Sequence, residues 1–417
     1  MRLCGIDAIG FRKKGEATGS HELTSDVASP RVRGFGTSVF TEMSRLANQH
    51  GAVNLGQGFP DFPGPEFVKE AARTAIDTDL NQYALSHGAS RLRTAVAGAW
   101  NDVYGMDVDP EHEITVTSGA TEAIFDAIQA LVGPGDEIVV FEPFYDSYLP
   151  SAIMAGASLQ VVTLRPPDWS VDEDELVAAF GPRTRLLLLN TPHNPTGKVF
   201  TRGELELLAE LCRRWDVVAV TDEVYSRILF DGAEHIPLAT IPGMWDRTLT
   251  INSTGKTFSM TGWKVGYAVG PAELNDPLRS VHQFVTFASA TPFQEAMAIA
   301  LEQAPGLGYY DDLIRDYSLR RDALKSALES AGLPTLPVAG AYFLMSDISP
   351  LGFDTDVAFC RWLTAEIGVA AVPPSAFYLD PLRAPLLARF CFAKKMETIQ
   401  LAAERLSTIA GRPIKDH

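Results

Sequence analysis

The feature that most constrains the fold is a regular alternation of short apolar runs with helical patterns between Ile114 and Gly270. The runs IVVF and LLLL are apolar at every position, as are strands buried on both faces of a parallel sheet. Between such runs, apolar residues such as Ala123, Ile124 and Ala127 recur at helical spacing. Strands that alternate with helices predict an α/β fold with a large, doubly wound, mostly parallel sheet. The expected strands lie in EITVT, DEIVVFEP, SLQVVTL, TRLLLLN, DVVAVTDE, RTLTIN and VGYAVG.

The pattern changes after about residue 304. A long charged helical pattern runs from about Tyr309 to Ser330, and short strands are expected at GAYFLMSD and LARFCFA. These features predict a smaller α+β domain made of residues 31–62 and 305–417, beside a large domain at residues 63–304. Residues 1–30 are expected to be a polar lead-in, because they lack the apolar run and small-residue cleavage site of a signal peptide.

Composition excludes several classes of function. The chain has 417 residues, of which 46% are apolar and 21% charged, so a sizeable core is expected. A formal net charge of -17 argues against a nucleic-acid partner, which would need a basic face. No apolar stretch is long enough for a membrane span, so no membrane partner is expected. Four scattered cysteines lack the spacing of a zinc site or a disulfide framework, which predicts no metal and a cytoplasmic location.

Ligands bind at the carboxyl ends of strands in open α/β sheets, so the residues after each apolar run are the candidates. SGAT, at residues 118–121, begins a helix after EITVT, and small residues at a helix start suit a phosphate group. An ordinary strand–helix turn is the alternative. Asn194 lies in TPHNPTG after LLLLN, where Pro192 and Pro195 fix the backbone. Alone, this segment favours an ordinary Asn-Pro turn.

Two further strand ends carry ionisable residues. Asp222 follows VVAV, where an unpaired carboxylate is costly, so it should face a cation or a donor near Tyr225. A helix N-cap is its alternative role. Lys256 follows TLTIN, and a desolvated lysine becomes a nucleophile toward carbonyl groups. A structural ion pair is the commoner role for a buried lysine, and a surface position with a buried stem is the alternative for Lys264.

These signals are weak singly and specific together. A phosphate cradle, an aspartate, a tyrosine, an asparagine and a lysine are all expected at one edge of one sheet. Pyridoxal 5'-phosphate requires such a set: a Schiff-base lysine, a carboxylate at the pyridinium nitrogen and an anchored phosphate.

Six motifs in order resemble the fold-type-I, class I/II aminotransferases: NLGQGFPDF, SGATEA, TPHNPTG, TDEVY, STGKTFSMTGWKVG and ARFCFAK. The nearest branch resembles kynurenine aminotransferase/glutamine transaminase K, together with methionine and N-succinyldiaminopimelate aminotransferases. The resemblance extends from about Phe40 to the C terminus. It implies a pyridoxal-phosphate-dependent enzyme that passes the amino group of an L-amino acid to a 2-oxo acid in a ping-pong cycle.

The resemblance also implies a role for each matching residue. Lys256 would bind the cofactor covalently and then move a proton at the substrate Cα. Asp222 would keep the pyridine nitrogen protonated, and Tyr225 and Asn194 would hydrogen-bond the phenolic oxygen. Tyr145 would stack on the ring. The phosphate would be held by Gly119, Ala120, Thr121, Ser253 and Lys264.

Substrate and partner contacts follow from the same resemblance. Arg389 would bind the substrate α-carboxylate, for which a planar, bidentate donor is suited. Gly58 and Asn194 would lie beside the same group. Tyr83 would reach the phosphate of the partner subunit, so a homodimer with shared active sites is implied.

Other functions stay open at this point. A cysteine-S-conjugate β-lyase would use the same Cα carbanion to expel a leaving group, and an N-succinyldiaminopimelate aminotransferase would serve lysine biosynthesis. An inactive ligand-binding or regulatory protein is disfavoured by the intact Lys256 and Arg389 and by the lack of a helix-turn-helix pattern. Aromatic residues near the expected site favour apolar, aromatic or sulfur-bearing amino donors: Phe35, Phe59, Tyr145, Phe377 and Tyr378.

Overall fold

The computed structural model describes residues 28–36 and 38–409. The chain divides into two compact units, with the boundary between Phe35 and Gly36. The described part of the first unit is a turn, in which the Arg33 Nε donates to the Ala28 carbonyl at 2.7 Å. The lead-in predicted for residues 1–30 lies almost entirely outside the described residues. The division of the remaining chain into domains at 63–304 and at 31–62 with 305–417 stays a prediction.

Helices and strands alternate along most of the second unit. The α-helices of the described residues are α1 (Val39–His50), α2 (Glu66–Asp77), α3 (Ser90–Tyr104), α4 (Ala120–Leu131), α5 (Tyr148–Ala155), α6 (Glu173–Ala179), α7 (Arg202–Trp215), α8 (Thr254–Thr257), α9 (Ala272–Val285), α10 (Thr291–Gln303), α11 (Tyr309–Ser330), α12 (Asp356–Trp362) and α13 (Met396–Leu406). The strands are β1 (Val53–Asn54), β2 (Ile114–Thr117), β3 (Glu137–Glu142), β4 (Ser158–Thr163), β5 (Thr184–Asn190), β6 (Val218–Asp222), β7 (Thr248–Ser253), β8 (Gly266–Val269), β9 (Phe343–Asp347), β10 (Val369–Ala370) and β11 (Leu387–Cys391).

A seven-stranded sheet with the order β2-β8-β7-β6-β5-β3-β4 forms the centre of the fold. Strands β4, β3, β5, β6 and β7 are parallel to one another, whereas β8 runs antiparallel to both β7 and β2. Six of the seven strands fall within the segments predicted from the apolar runs, and β7 extends one residue beyond its segment, to Ser253. The prediction of an α/β fold with a large, mostly parallel sheet is therefore confirmed.

The central strands are buried on both faces, which explains their continuous apolar sequence. In β5, Leu186 and Leu188 pack in a cluster that contains residues of α4, α5 and α9. Their neighbours Leu187 and Leu189 pack on the other face, with residues of α6 and α7. Because successive side chains of a strand point to opposite faces, a run of leucines is required wherever helices cover both sides.

The C-terminal part of the chain builds a further apolar cluster. Helix α11 has the bounds predicted from its charged pattern, and it buries Tyr317, Leu324 and Leu328 there. Strands β9 and β11, also predicted, form an antiparallel pair in which Arg389 lies opposite Met345. The parallel pair of β1 and β10 has only two residues in each strand, and was not predicted.

Among the described helices, none has the length and apolar character needed to cross a membrane.

Candidate active site

Four strands of the central sheet end at one edge and deliver the predicted residues there. Strand β5 ends at Asn190, β6 at Asp222 and β7 at Ser253, while β2 ends at Thr117 just before Gly119. A cavity of about 240 Å³ opens at this edge. Its lining residues are Phe40, Gln57, Gly58, Phe59, Gly119, Ala120, Thr121, Ile124, Tyr145, Asn190, Asn194, Asp222, Val224, Tyr225, Ser253, Lys256, Thr261 and Lys264.

Lys256 is held at the cavity by the short helix α8. The Ser253 hydroxyl caps this helix by accepting from the Gly255 N–H at 3.2 Å, which turns the chain directly after β7. Lys256 Nζ lies 3.4 Å from the Gly58 carbonyl oxygen. Burial lowers the pKa of the Lys256 ammonium to about 8. About a tenth of the amine is therefore unprotonated at pH 7, and nucleophilic attack on a carbonyl requires this form.

Asp222 is buried, and its carboxylate accepts a hydrogen bond from the Tyr148 hydroxyl at 2.6 Å. Burial raises the pKa of Asp222 to about 6, although the Tyr148 hydrogen bond acts in the opposite direction. The carboxylate is thus ionised above that pH and faces the cavity. It is suited to hold a proton on a ligand nitrogen. Tyr148, which begins α5, was not predicted, because its position beside Asp222 depends on how α5 packs against the sheet.

The Asn194 side chain is fixed by a second amide that sequence reasoning missed. Asn190 donates through Nδ2 to the Asp222 carbonyl at 2.7 Å and accepts the Asn194 N–H at 2.7 Å. Asn190 therefore ties the end of β5 to β6 and sets the turn that presents Asn194. Asn190 was hidden from prediction because it is the last residue of an apolar run and carries no motif of its own.

Arg389 is 1% exposed and lies beside the cavity without forming part of its lining. Its Nη1 donates to Asn194 Oδ1 at 3.0 Å and its Nη2 to the Gly56 carbonyl at 2.8 Å. Within the described chain, Arg389 Nε has no hydrogen-bond partner, and no carboxylate oxygen lies within ion-pair distance. Burial accordingly lowers the pKa of Arg389. The structure thus retains a buried cation with donor capacity available for an anion.

Aromatic rings surround the Arg389 guanidinium. Its Cζ lies 4.2 Å from the centroid of Phe343, 5.0 Å from that of Phe40 and 5.3 Å from that of Phe377. Such contacts orient the planar group and exclude water from it. Phe40 was not predicted, because a phenylalanine near the start of an amphipathic helix is usually interpreted as a core residue.

Gly58 brings its backbone close to Lys256 and to a buried aromatic cluster. Its carbonyl accepts a hydrogen bond from the Tyr342 hydroxyl at 2.7 Å. A Cβ at this position would lie 3.1 Å from the Phe343 ring, so any side chain would crowd the pocket. A side chain at this position would therefore require the Phe343 ring to shift by a few tenths of an ångström.

A second group of predicted residues forms an anion cradle at the start of α4. Gly119 has φ 83°, and a Cβ there would lie 2.9 Å from Lys264 Nζ. A Cβ at Gly266 would lie 2.5 Å from both the Gly119 carbonyl carbon and the Ala120 nitrogen. These close approaches bring a lysine ammonium to the N terminus of a helix, where free N–H groups favour an anion. Ser253 and Thr121 line the same cavity and add hydroxyl groups.

Two predicted tyrosines line the cavity as well. Tyr225 packs edge-to-face on Tyr342 with 5.0 Å between ring centroids, and burial raises the pKa of its hydroxyl well above the usual range. That hydroxyl therefore stays protonated and able to donate. Tyr145 lines the cavity and packs edge-to-face on Tyr148 at 5.7 Å.

The predicted aromatic residues differ in their positions. Tyr83 is 83% exposed, contacts Phe287 edge-to-face at 5.3 Å, and does not line the cavity of its own chain. Of the aromatic residues expected at the pocket, Phe59 and Tyr145 line it, and Phe377 packs on Arg389. Tyr378 is buried outside the lining, and Phe35 belongs to the separate N-terminal unit.

Comparison with known proteins identifies the class of enzyme. The chain is a transaminase. It belongs to the aminotransferase class I and II family, whose model matches residues 50–406. An enzyme of this kind moves an amino group from an amino acid to a 2-oxo acid, which agrees with the activity implied by the sequence motifs.

Three relatives illustrate the similarity. The solved structure of N-succinyldiaminopimelate aminotransferase from Mycobacterium tuberculosis is 44% identical, with a TM-score of 0.89 and coverage of 92% of this chain and 100% of that one. A solved structure of a methionine aminotransferase from Escherichia coli is 43% identical, with a TM-score of 0.88 and coverage of 92% and 99%. Human kynurenine–oxoglutarate transaminase 1 is 40% identical over 415 residues, with coverage of 92% and 98%.

Proposed function

We propose that this transaminase uses pyridoxal 5'-phosphate, bound covalently through Lys256. The observation that carries the proposal is the placement of a lysine of lowered pKa and a buried, ionisable aspartate in one cavity with an anion cradle. The dimensions of the cradle depend on Gly119 and Gly266, where a Cβ would fill the space. When bound, the cofactor supplies a carbonyl for the amino group and a ring that accepts electrons released at Cα.

The protein's own groups divide the remaining work. Asp222 holds a proton at the ring nitrogen, and the Tyr148 hydrogen bond keeps its carboxylate ionised and oriented. Tyr225 and Asn194 would hydrogen-bond the phenolic oxygen of the cofactor, and Tyr145 would pack against its ring. Lys256 takes and returns the proton at the substrate Cα, which a group with a pKa of about 8 can do near neutral pH.

Arg389, with Asn194 and the backbone at Gly58, binds the substrate α-carboxylate. Support comes from the unused Nε of Arg389, which is buried and has no partner within the described residues. The aromatic rings of Phe40, Phe59 and Tyr145 favour donors with apolar, aromatic or sulfur-bearing side chains. Among the described residues that line the cavity, Lys256 and Lys264 are the only cations, so a donor with a second carboxylate lacks a dedicated partner in this chain.

Borohydride reduction followed by peptide mapping tests the covalent link. The label should be found on Lys256, and a Lys264→Gln variant should keep the label while binding the cofactor more weakly. A label on Lys264, or on neither lysine, would refute the assignment.

A panel of amino donors tests the substrate class. With a common 2-oxo acid, kcat/KM should be higher for methionine, phenylalanine, glutamine and kynurenine than for aspartate or N-succinyl-L,L-diaminopimelate. A preference for N-succinyl-L,L-diaminopimelate would instead indicate a role in lysine biosynthesis. Release of pyruvate and ammonia from a cysteine S-conjugate, without an added 2-oxo acid, would instead identify a β-lyase.

We further infer a homodimer and a cytoplasmic location. Large exposed aromatic side chains lie close together around Tyr83, with Phe287 in contact with it and Phe284 86% exposed. Such a patch is typical of a protein interface. A Phe284→Glu substitution should shift the sedimenting species from dimer to monomer, whereas a Leu382→Glu control, at a residue 93% exposed elsewhere, should not.

The described cysteines Cys212, Cys360 and Cys391 are buried free thiols, which suits a reducing compartment.

A further inference from the structure

A buried cluster of three potential metal ligands lies behind the anion cradle, outside the transaminase site. Glu122 and Asp126 are one turn apart on α4, and His282 is on α9, which packs against α4. One ligand atom from each of the three residues lies within 4.8 Å of the other two. His282 Nδ1 is 2.9 Å from Glu122 Oε1 and 3.8 Å from Asp126 Oδ2.

Asp126 is the feature that a purely structural cluster does not explain. Its side chain is 0% exposed, and neither carboxylate oxygen has a hydrogen-bond partner in the part of the chain that the structure describes. A buried carboxylate without partners is costly unless it is protonated or bound to a cation. A divalent cation with a high affinity for carboxylate and imidazole would supply the missing partner.

The groups around the cluster orient the other two ligands. His282 Nε2 lies 2.8 Å from the Ser86 carbonyl oxygen, and because a carbonyl only accepts, Nε2 carries the hydrogen. Nδ1 faces the Glu122 carboxylate, which also only accepts, so in the metal-free protein it donates to Glu122 Oε1. A bound metal ion would displace that hydrogen and take the Nδ1 lone pair. Glu122 is held through both oxygens, by the Ser118 N–H and the Thr286 hydroxyl. Metal-binding histidines and carboxylates are typically oriented by such outer hydrogen bonds.

The distances suit a small divalent ion. Zinc binds imidazole nitrogen and carboxylate oxygen at about 2.0–2.2 Å, so two ligand atoms of one ion lie roughly 3–3.5 Å apart. The two His282 separations, 2.9 and 3.8 Å, lie on either side of that range. The third separation, between Glu122 and Asp126, is at most 4.8 Å, so a bound ion would draw the ligand atoms closer together. One neutral imidazole and two carboxylates also balance the charge of a divalent ion inside the protein.

We propose that Glu122, Asp126 and His282 form a structural site for a divalent transition-metal ion such as Zn²⁺. The ion would tie α4, whose N terminus forms the anion cradle, to α9 and to the segment at Ser86. This proposal does not depend on the cofactor or the substrate proposed above. It also departs from the sequence prediction of no metal, which was based on cysteine spacing and had no signal for ligands 160 residues apart.

Metal content and thermal stability of the holoenzyme test the proposal. After dialysis against EDTA and then against buffered Zn²⁺, mass spectrometry should find about one zinc ion per chain. Zinc at about 100 times its dissociation constant should raise Tm by roughly 3 °C or more. Asp126→Asn should reduce zinc affinity at least about tenfold. Its fold should persist, because the Asp126 oxygens make no hydrogen bond within the described residues.

Controls separate this site from adventitious binding. His112 and Asp109 form an exposed pair with Nδ1 and Oδ2 2.7 Å apart, which is able to bind zinc at the surface. His112→Gln should leave the stoichiometry and the Tm shift unchanged, whereas His282→Gln should abolish both. The proposal is overturned if wild-type enzyme takes up no zinc, or if Asp126→Asn binds zinc as wild type does. Loss of binding in His112→Gln alone would also overturn it.

Discussion

An Arg389→Lys substitution tests how the substrate is bound. The wild-type guanidinium is fixed by donation to Asn194 Oδ1 at 3.0 Å and to the Gly56 carbonyl at 2.8 Å, which leaves part of its fork for the substrate. Lysine keeps the charge but loses the planar, two-pronged donor. A hydrogen bond to a charged group contributes about 1.5–3 kcal/mol, and about 1.4 kcal/mol is a factor of ten. Loss of one such bond should lower kcat/KM by about ten- to a hundredfold.

Steady-state kinetics with several donors provide the assay. The loss should be similar for all of them, because all share the α-carboxylate, and the visible absorbance of the bound cofactor should persist. Arg321→Lys is the matched control, since Arg321 also makes a forked contact, with Asp231, and lies 4.8 Å from the ring centroid of Phe230. That change should affect stability and leave kcat/KM within about twofold of wild type. A loss confined to one class of donor would refute the reasoning and assign Arg389 to side-chain recognition.

Three other substitutions have defined outcomes. Asp222→Asn should keep the fold, as judged by circular dichroism, but lower kcat by about 10²–10⁴-fold, because an amide cannot hold the proton at the ring nitrogen. Tyr148→Phe removes the hydrogen bond that lowers the pKa of Asp222, so the acid limb of the pH profile of kcat/KM should move above about pH 6. In the cofactor-free protein, the pKa of Lys256 is lowered from 10.5 to about 8, so the folded state binds fewer protons between those values and is stabilised as pH rises. Lys256→Met should lack that rise, which thermal melts at pH 8 and pH 10 would measure.

The parts of the fold that repeat were predictable from the sequence. Strands β3 and β5 are mostly apolar runs in which four successive residues are apolar and buried, so their pattern is easily recognised. Helix α11 was predicted with its observed bounds. It has 22 residues, and a helical pattern is easier to recognise when it repeats over many turns. The pair of β1 and β10 has two residues in each strand, which is too short for any period.

The candidate site was predictable where residues follow strand ends in motifs, and elsewhere it was not. Lys256, Asp222 and Asn194 lie where the order of strands places them, and the cavity contains all three. The structural partners of these residues were missed, since they depend on distances between elements. Tyr148 reaches Asp222 across 74 positions of sequence, and no local pattern encodes that contact. The roles given to the site residues stay predictions until they are tested.

The neutral surroundings of Arg389 have a consequence for selectivity. Both groups that hold its guanidinium are amide oxygens, and aromatic rings cover the rest. A carboxylate partner within the protein would have neutralised the cation in advance and left little reason to bind another anion. Among the described residues no carboxylate contacts Arg389, and Asp146 acts on its charge only from beyond ion-pair distance, so an incoming carboxylate would be the first direct partner of this desolvated cation. An amine that lacks this group, such as a decarboxylated amino acid, would fill the pocket and leave the charge uncompensated, at a cost of several kcal/mol. Discrimination against amines is therefore already present in the empty pocket.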